Sequence, residues 1–192
     1  MKGNINNGIK FTQDNLDQTI QFLNKLAPDR AIFTFQTFDD NADRKDPNLV
    51  RIFHGSLDER YEQLKNLNQR GAGVFVTINP TDGKGRRKEN ITGVRAVWIE
   101  DDDGQLQLPL KAHIKVESSP GKYHYYFLLD GASKQDFREI QDELVKNWGS
   151  DPNAKDITRV LRLPGFNHQK VNSKKGLVGT PFMVQIVGGS LT

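Results

Sequence analysis

Three short segments of this 192-residue chain bring together residue types that do chemistry. The first is Glu100-Asp101-Asp102-Asp103, directly after the apolar run Val97-Trp98-Ile99. Side chains alternate along a strand, so Glu100 and Asp102 share one face while Asp101 and Asp103 share the other. Two carboxylates on one strand face stand about 7 Å apart, the reach of a divalent-cation clamp. A hard ion such as Mg²⁺ offsets their mutual repulsion. The plainer alternative is a solvated acidic strand end that turns at Gly104. Against it, the acids begin where core sequence stops.

The second segment is Ser118-Ser119-Pro120-Gly121-Lys122-Tyr123-His124. A Ser/Pro/Gly turn offers backbone amides, and Lys122 and His124 at its exit add donors for phosphate. Two alternatives stand beside this. One is an ordinary hairpin in which His124 packs across strands. The other is a stacking strand whose Tyr123, Tyr125 and Phe127 meet nucleobases. The third segment runs from Asp156 through Arg159, Arg162 and Gly165 to His168 and Lys170. It sets cations beside one acid, which suits a third metal ligand or an electrostatic partner, with a grip for a triphosphate. A basic surface loop is its alternative. The stretch Asp151–Lys155 reads as a turn that positions Asp156. A further basic run, Arg86-Arg87-Lys88, could touch a nucleic-acid backbone.

Other chemistries find little support. There is no phosphate-loop lysine motif and no GxGxxG. The four histidines are scattered, with neither HExxH nor His-x-His, and the chain has no Cys. Thiolate zinc sites, disulfides and a Cys nucleophile are therefore excluded, and any metal should be a hard, oxygen-bound ion. The absence of Cys fits a reducing cytosol. No window approaches ~18 consecutive apolar residues, so no membrane span is expected, and the first ten residues lack a secretory apolar region. Net charge is only +3, too little by itself to argue for nucleic acid. Its distribution is more telling. No Asp or Glu follows Asp156, whereas Arg159, Arg162, Lys170, Lys174 and Lys175 all do.

The elements that must position these residues can be read from periodicity. Residues 1–10 are Gly/Asn-rich and expected to be flexible, leaving 11–192 as a single domain. A helix is expected over 13–26, with Leu16, Ile20 and Leu23 on its buried face and Pro28 stopping it. A strand follows at 31–38, then a polar loop to Asn48. Ser56 and Glu59 form a capping-box pattern for a second helix, with Leu57, Tyr61, Leu64 and Leu67 buried and Gly71 as its left-handed exit. Strands are expected at 73–79 and 94–100, the latter apolar on both faces and so central in a sheet. A hairpin over 113–130 turns at Pro120-Gly121. A third helix over 134–148 is capped by Ser133 and Gly149, and a last strand lies at 181–187. This order predicts an α+β fold with one mixed or antiparallel sheet covered by helices, compatible with an RNA-recognition-motif-like sheet.

Taken in order, the three segments resemble the three motifs of the archaeo-eukaryotic primase superfamily. In particular they resemble the RepB-type primase domain of plasmid and phage replication proteins. Val97 to Asp102 matches the apolar run with acid-x-acid. Ser118 to His124 matches the Ser/Gly turn leading to His, and Asp156 to Gly165 the Asp followed by R-x-x-R-L-P-G. The likeness covers roughly residues 30–188 and departs in having Glu at the first acid. It implies metal-dependent, template-directed nucleotidyl transfer that makes or extends primers on single-stranded DNA from nucleoside triphosphates. It further implies Mg²⁺ or Mn²⁺ in a two-metal site held by Glu100, Asp102 and Asp156, with Asp101 and Asp103 as the alternative register. Ser118, Ser119, Lys122 and His124 would hold the nucleotide's phosphates, and Arg159, Arg162, His168 and Lys170 would line the nucleotide or template side. His124 would join the acids as a catalytic residue by neutralising triphosphate charge. A prokaryotic cytoplasmic setting and a replicative helicase or accessory domain as partner are also implied, the chain then being part of a longer replication protein. The rival function is a non-catalytic single-stranded nucleic-acid-binding module of the same sheet type.

Overall fold

The computed structural model describes residues 10–27, 31–172, 176–178 and 180–190. The expected flexible start (residues 1–9), the helix stop at Pro28 and the basic side chains Lys174 and Lys175 lie outside the described residues. Helix α1 (Gln13–Leu26) opens the fold, followed by β1 (Phe33–Asp39), β2 (Arg51–Gly55), α2 (Leu57–Gln69) and β3 (Ala72–Thr77). Strands β4 (Ala96–Asp101), β5 (Ile114–Ser119) and β6 (Lys122–Leu128) precede α3 (Lys134–Trp148). The last part holds β7 (Val160–Arg162), β8 (Asn167–His168), β9 (Val171–Asn172), β10 (Leu177–Val178), β11 (Phe182–Met183) and β12 (Gln185–Gly188).

The fold is α+β, as the periodicity predicts, but the sheet is divided. One four-stranded sheet runs β2-β1-β3-β7 and a second runs β12-β5-β6-β4. Every neighbouring pair in both is antiparallel. The expected single sheet does not form: β1 and β3 pair with each other and with β2 and β7, whereas β4 and the β5–β6 hairpin pair separately with β12, and β2 is a strand that the sequence pattern does not mark. Periodicity identifies strands, but it does not say which strands pair. One cluster of buried side chains joins the two sheets and the helices: Phe22 from α1, Phe35 and Val76 from the first sheet, Trp98 and Tyr126 from the second, and Phe137 from α3.

The helices form where their caps dictate. Ser56 Oγ accepts from the Glu59 amide while Glu59 Oε2 accepts from the Ser56 amide. Ser133 and Asp136 repeat this arrangement for α3, which ends at Gly149 with φ +73°. In α1 the buried stripe is Thr19, Phe22, Leu23 and Leu26, whereas the expected Ile20 is 38% exposed. The difference is about one helical position, because Phe22 fills the centre against Tyr126 at 5.3 Å.

Strand β4 is an edge strand, contrary to the central place its apolarity suggests. Its burial comes from α3, which packs on it and sets Phe137 against Trp98 at 5.4 Å. The outward backbone groups of β4 are met by side chains. Asn79 Oδ1 accepts from the Arg95 and Ala96 amides, Gln141 spans both the N–H and C=O of Trp98, and Ser150 Oγ accepts from the Glu100 amide. Buried polar backbone left unmet costs about 1–3 kcal/mol per group, so these contacts fix where β4, and with it Glu100, must lie. Among the described residues no helix is long and apolar enough to cross a membrane.

Candidate active site

Pairing of β4 with β6 sets Glu100 opposite His124, with Asp101 opposite Tyr123. On the other side, β3 pairs with β7, so Phe75 lies opposite Arg162. Between the two sheets opens a cleft of about 1110 Å³. Glu100, Asp102, Ser118, Ser119, Lys122, His124, Asp156, Arg159, Arg162, His168 and Lys170 all line it. Three segments that are apart in the sequence thus meet at one place. Arg86 also lines the cleft, whereas Arg87 and Lys88 are exposed and outside its lining.

The four acids of the 100–103 run divide as strand alternation requires. Asp101 is buried, and its carboxylate accepts from the amides of Gly104 (2.7 Å), Gln105 (3.3 Å) and Leu106 (3.2 Å), closing the turn after β4. Asp103 is exposed and outside the cleft lining. Glu100 is gripped by Arg159, Nε to Oε1 at 2.8 Å and Nη2 to Oε2 at 2.9 Å. Asp102, largely exposed, pairs with the Lys122 ammonium at 3.1 Å. Asp156 follows the short turn Pro152–Lys155 and accepts from the Thr158 amide at 3.0 Å.

Among the described residues no three acidic or His side chains stand together as a ready-made cation cage. The donor chemistry nonetheless fits a hard divalent ion. Glu100, Asp102 and Asp156 present carboxylate oxygens to one cleft, the donor type such ions take. Two of them are held by monovalent side-chain cations, unlike Asp101, whose oxygens are committed to backbone.

The turn at Pro120-Gly121 is less open than its sequence suggests, because the Gly121 amide donates to Glu117 Oε1 at 3.0 Å. The two cleft histidines, His124 and His168, are both pushed toward the neutral form. Burial, with Arg162 and Arg159 nearby, brings His124 down to about 3. Burial and Arg162 bring His168 down to about 4. Without a bound anion, taking the charged imidazole out of water costs more than nearby Asp102 returns, which weighs against His124 as a standing positive charge for the triphosphate. His168 Nδ1 lies 2.9 Å from the Ser118 carbonyl, so that nitrogen carries the proton. The aromatics proposed for stacking lie elsewhere. Tyr123 and Tyr125 alternate with His124 and so face away from the cleft, with the Lys115 ammonium 4.0 and 5.0 Å from their rings.

The basic tail is anchored by a buried ion pair. Arg162 donates to Asp40 at 2.8 and 3.1 Å, and the Gln169 amide adds a third bond to Asp40 at 2.8 Å. Sequence reasoning missed Asp40, and it missed Phe38 and Phe75, an edge-to-face pair at 5.4 Å that lines the cleft. Arg86 lies 6.0 Å from the Phe38 ring and Arg162 4.6 Å from that of Phe75. The available signal was alternation: in β1 and β3 these two Phe occupy the face opposite the core residues.

Residues 51–184 match the family described as the RepB DNA-primase N-terminal domain. A replication protein of Clostridium perfringens is 27% identical over 142 residues, 62% of this chain and 34% of that protein. The chain therefore spans about a third of the length of this curated relative. The AEP domain of the cyanophage S-2L primase-polymerase is similar with a TM-score of 0.70 at 20% identity, covering 94% of this chain and 91% of that one. The crystal structure of primase RepB′ gives 0.62 at 19% identity, over 91% of this chain and 56% of that one. The RepB′ catalytic domain in complex with initiator DNA gives 0.56 at 17%, over 90% and 86%. At these identities the likeness speaks for a shared fold.

Proposed function

The chain belongs to the RepB DNA-primase N-terminal domain family, and from that premise we propose that it is a primase-polymerase catalytic domain. It adds nucleotides from nucleoside triphosphates to a primer or initiating nucleotide on a single-stranded DNA template, in a prokaryotic cytoplasm. One observation carries the reading. The acids of β4, the Ser118–His124 turn and the cations around β7 converge on a single cleft of about 1110 Å³. That volume lies slightly above the usual range of small-molecule sites, roughly 300–1,000 Å³, room for a nucleotide beside a strand end.

In this reading the oxygen of a primer 3′-hydroxyl forms a bond to the α-phosphorus and its proton passes to solvent, while the bond to the α–β bridging oxygen breaks and pyrophosphate leaves. Glu100, Asp102 and Asp156 would hold Mg²⁺ or Mn²⁺. The chemistry such ions supply is neutralisation of phosphate charge and stabilisation of the attacking and leaving oxygens. The protein's own part is binding and electrostatics. Lys122 and Arg159 offer charged donors to the triphosphate. His124, being neutral, offers at most a single N–H. Arg162 is committed to Asp40 and shapes the wall beside Phe75. A helicase or accessory domain is a proposal for the longer protein.

The test is primer synthesis and extension on single-stranded DNA with labelled nucleotides, with and without Mg²⁺ or Mn²⁺. Asp102→Ala should abolish product while leaving the thermal unfolding midpoint within a few degrees. Product retained by a Glu100→Ala/Asp102→Ala variant would overturn the role of these acids. No product under any metal or nucleotide condition would favour a non-catalytic binding module.

A further inference from the structure

The best-made polar contact in the cleft joins two groups that the proposed reaction needs apart. Arg159 covers both oxygens of Glu100, and the pair is sheltered, with side-chain exposures of 12% for Glu100 and 31% for Arg159. An ion approaching Glu100 meets a permanent positive charge within hydrogen-bonding reach of the same oxygens. The two partners are held differently. Glu100 sits on β4, pinned through its own amide to Ser150 and through Trp98 to Gln141. Arg159 lies just before β7, on a long side chain that touches the cleft, with Asp151 as a second, longer partner at 3.9 Å. The neighbouring acid repeats the arrangement, with the Lys122 ammonium on Asp102.

We propose that Arg159 is an internal counter-cation. In the nucleotide-free protein it competes with a divalent ion for Glu100, and an incoming triphosphate draws it away. Nucleotide and metal therefore bind cooperatively, and by linkage each tightens the other by the same factor. This inference rests on reading the cleft as a nucleotidyl-transfer site. A bidentate guanidinium suits the exchange, because its fork matches carboxylate and phosphate oxygens alike.

Mn²⁺ binding, followed by electron paramagnetic resonance on the full chain, tests it without any turnover. Titrations are run on the wild type, Arg159→Gln and Arg86→Gln, with and without a non-hydrolysable nucleoside triphosphate, corrected for Mn²⁺ held by free nucleotide. Without nucleotide, Arg159→Gln should bind Mn²⁺ about tenfold more tightly than the wild type, within the roughly 5–150-fold range of ordinary site coupling. Nucleotide should tighten Mn²⁺ binding in the wild type and do so much less in Arg159→Gln. Arg86→Gln removes a charge from the same cleft without touching Glu100, and should change nucleotide-free affinity less than about twofold. Should Arg159→Gln fail to fold, Arg159→Lys keeps the charge, loses the fork and should shift affinity the same way by less. Equal nucleotide-free affinities in the wild type and the Arg159 variant, or equal gains in the Arg86 and Arg159 variants, overturn the counter-cation role and leave the site reading standing. No saturable Mn²⁺ binding in any variant, with or without nucleotide, overturns both.

Discussion

Gly73 carries no chemistry, yet adding one methyl group there should disturb the cleft. A Cβ at this position would stand 2.6 Å from Arg162 Nη1 and 2.8 Å from Asp40 Cγ. Both are ends of flexible side chains, which ordinarily swing aside cheaply. Here they are locked together: Asp40 and Arg162 side chains are 5% and 13% exposed, Asp40 also holds the Gln169 amide, and Arg162 lies against Phe75. Losing one of the two charge-assisted bonds costs about 1.5–3 kcal/mol, and losing the pair with Asp40 still buried costs about 3–5 kcal/mol. Gly73→Ala should therefore destabilise by about 2–4 kcal/mol, measured as the unfolding free energy in urea. Overpacking alone could reach about 1–3 kcal/mol, so the decisive measurement is a double-mutant cycle. In an Asp40→Ala/Arg162→Met background the offending atoms are gone, and the cost of Gly73→Ala should fall below about 1 kcal/mol. A cost that is the same in both backgrounds, or below about 0.5 kcal/mol in the wild type, refutes the reasoning.

Other expectations follow from the same contacts. Asp101→Ala releases three turn amides and should cost about 1–3 kcal/mol in urea unfolding, with Mn²⁺ affinity unchanged; a large loss of Mn²⁺ binding would mean that the other register holds the ion. Gln141→Leu leaves the Trp98 N–H and C=O unmet and should cost about 2–5 kcal/mol, seen as a lower urea midpoint. For pH, the sign is set by His124, held near 3 when folded against an ordinary 6.5. Between these values the unfolded chain binds the extra proton, so stability falls as pH falls from about 6.5. At pH 5 the loss from His124 is about 2 kcal/mol, and His168, lowered to about 4, acts in the same direction. Urea unfolding at pH 7 and pH 5 should show this fall, and His124→Gln should reduce it; a flat profile would contradict the burial argument.

Much of the candidate site was legible because its signals are local. The capping boxes at Ser56 and Ser133, the hairpin through Pro120-Gly121 and the alternation that separates Glu100 and Asp102 from Asp101 and Asp103 all act within a few residues. What escaped was decided through space. Strand β2 has few buried side chains to announce it, and nothing local says that β1 and β3 pair apart from β4, β5 and β6. Ile20 and Leu16 fit a helical stripe as well as Phe22 does until Tyr126 chooses between them. The Arg159–Glu100 and Arg162–Asp40 pairs join residues 59 and 122 positions apart, beyond any periodic pattern. His124 shows the limit most plainly, since its residue type suggests a cation, whereas burial and the arginines brought beside it through space favour the neutral form.

The side-chain closure of β4 has a consequence for assembly. An edge strand ordinarily invites another chain to add itself, the route to aggregation and strand-swapped pairing. On β4 the amides of Ala96, Trp98 and Glu100 are already answered by Asn79, Gln141 and Ser150, so a visiting strand finds no donors in register. The acidic end of the second sheet is thereby kept clear of a visiting strand. Association by strand addition is left to the other edges, such as β2 at the far side of the first sheet, where Ile52 is 47% exposed.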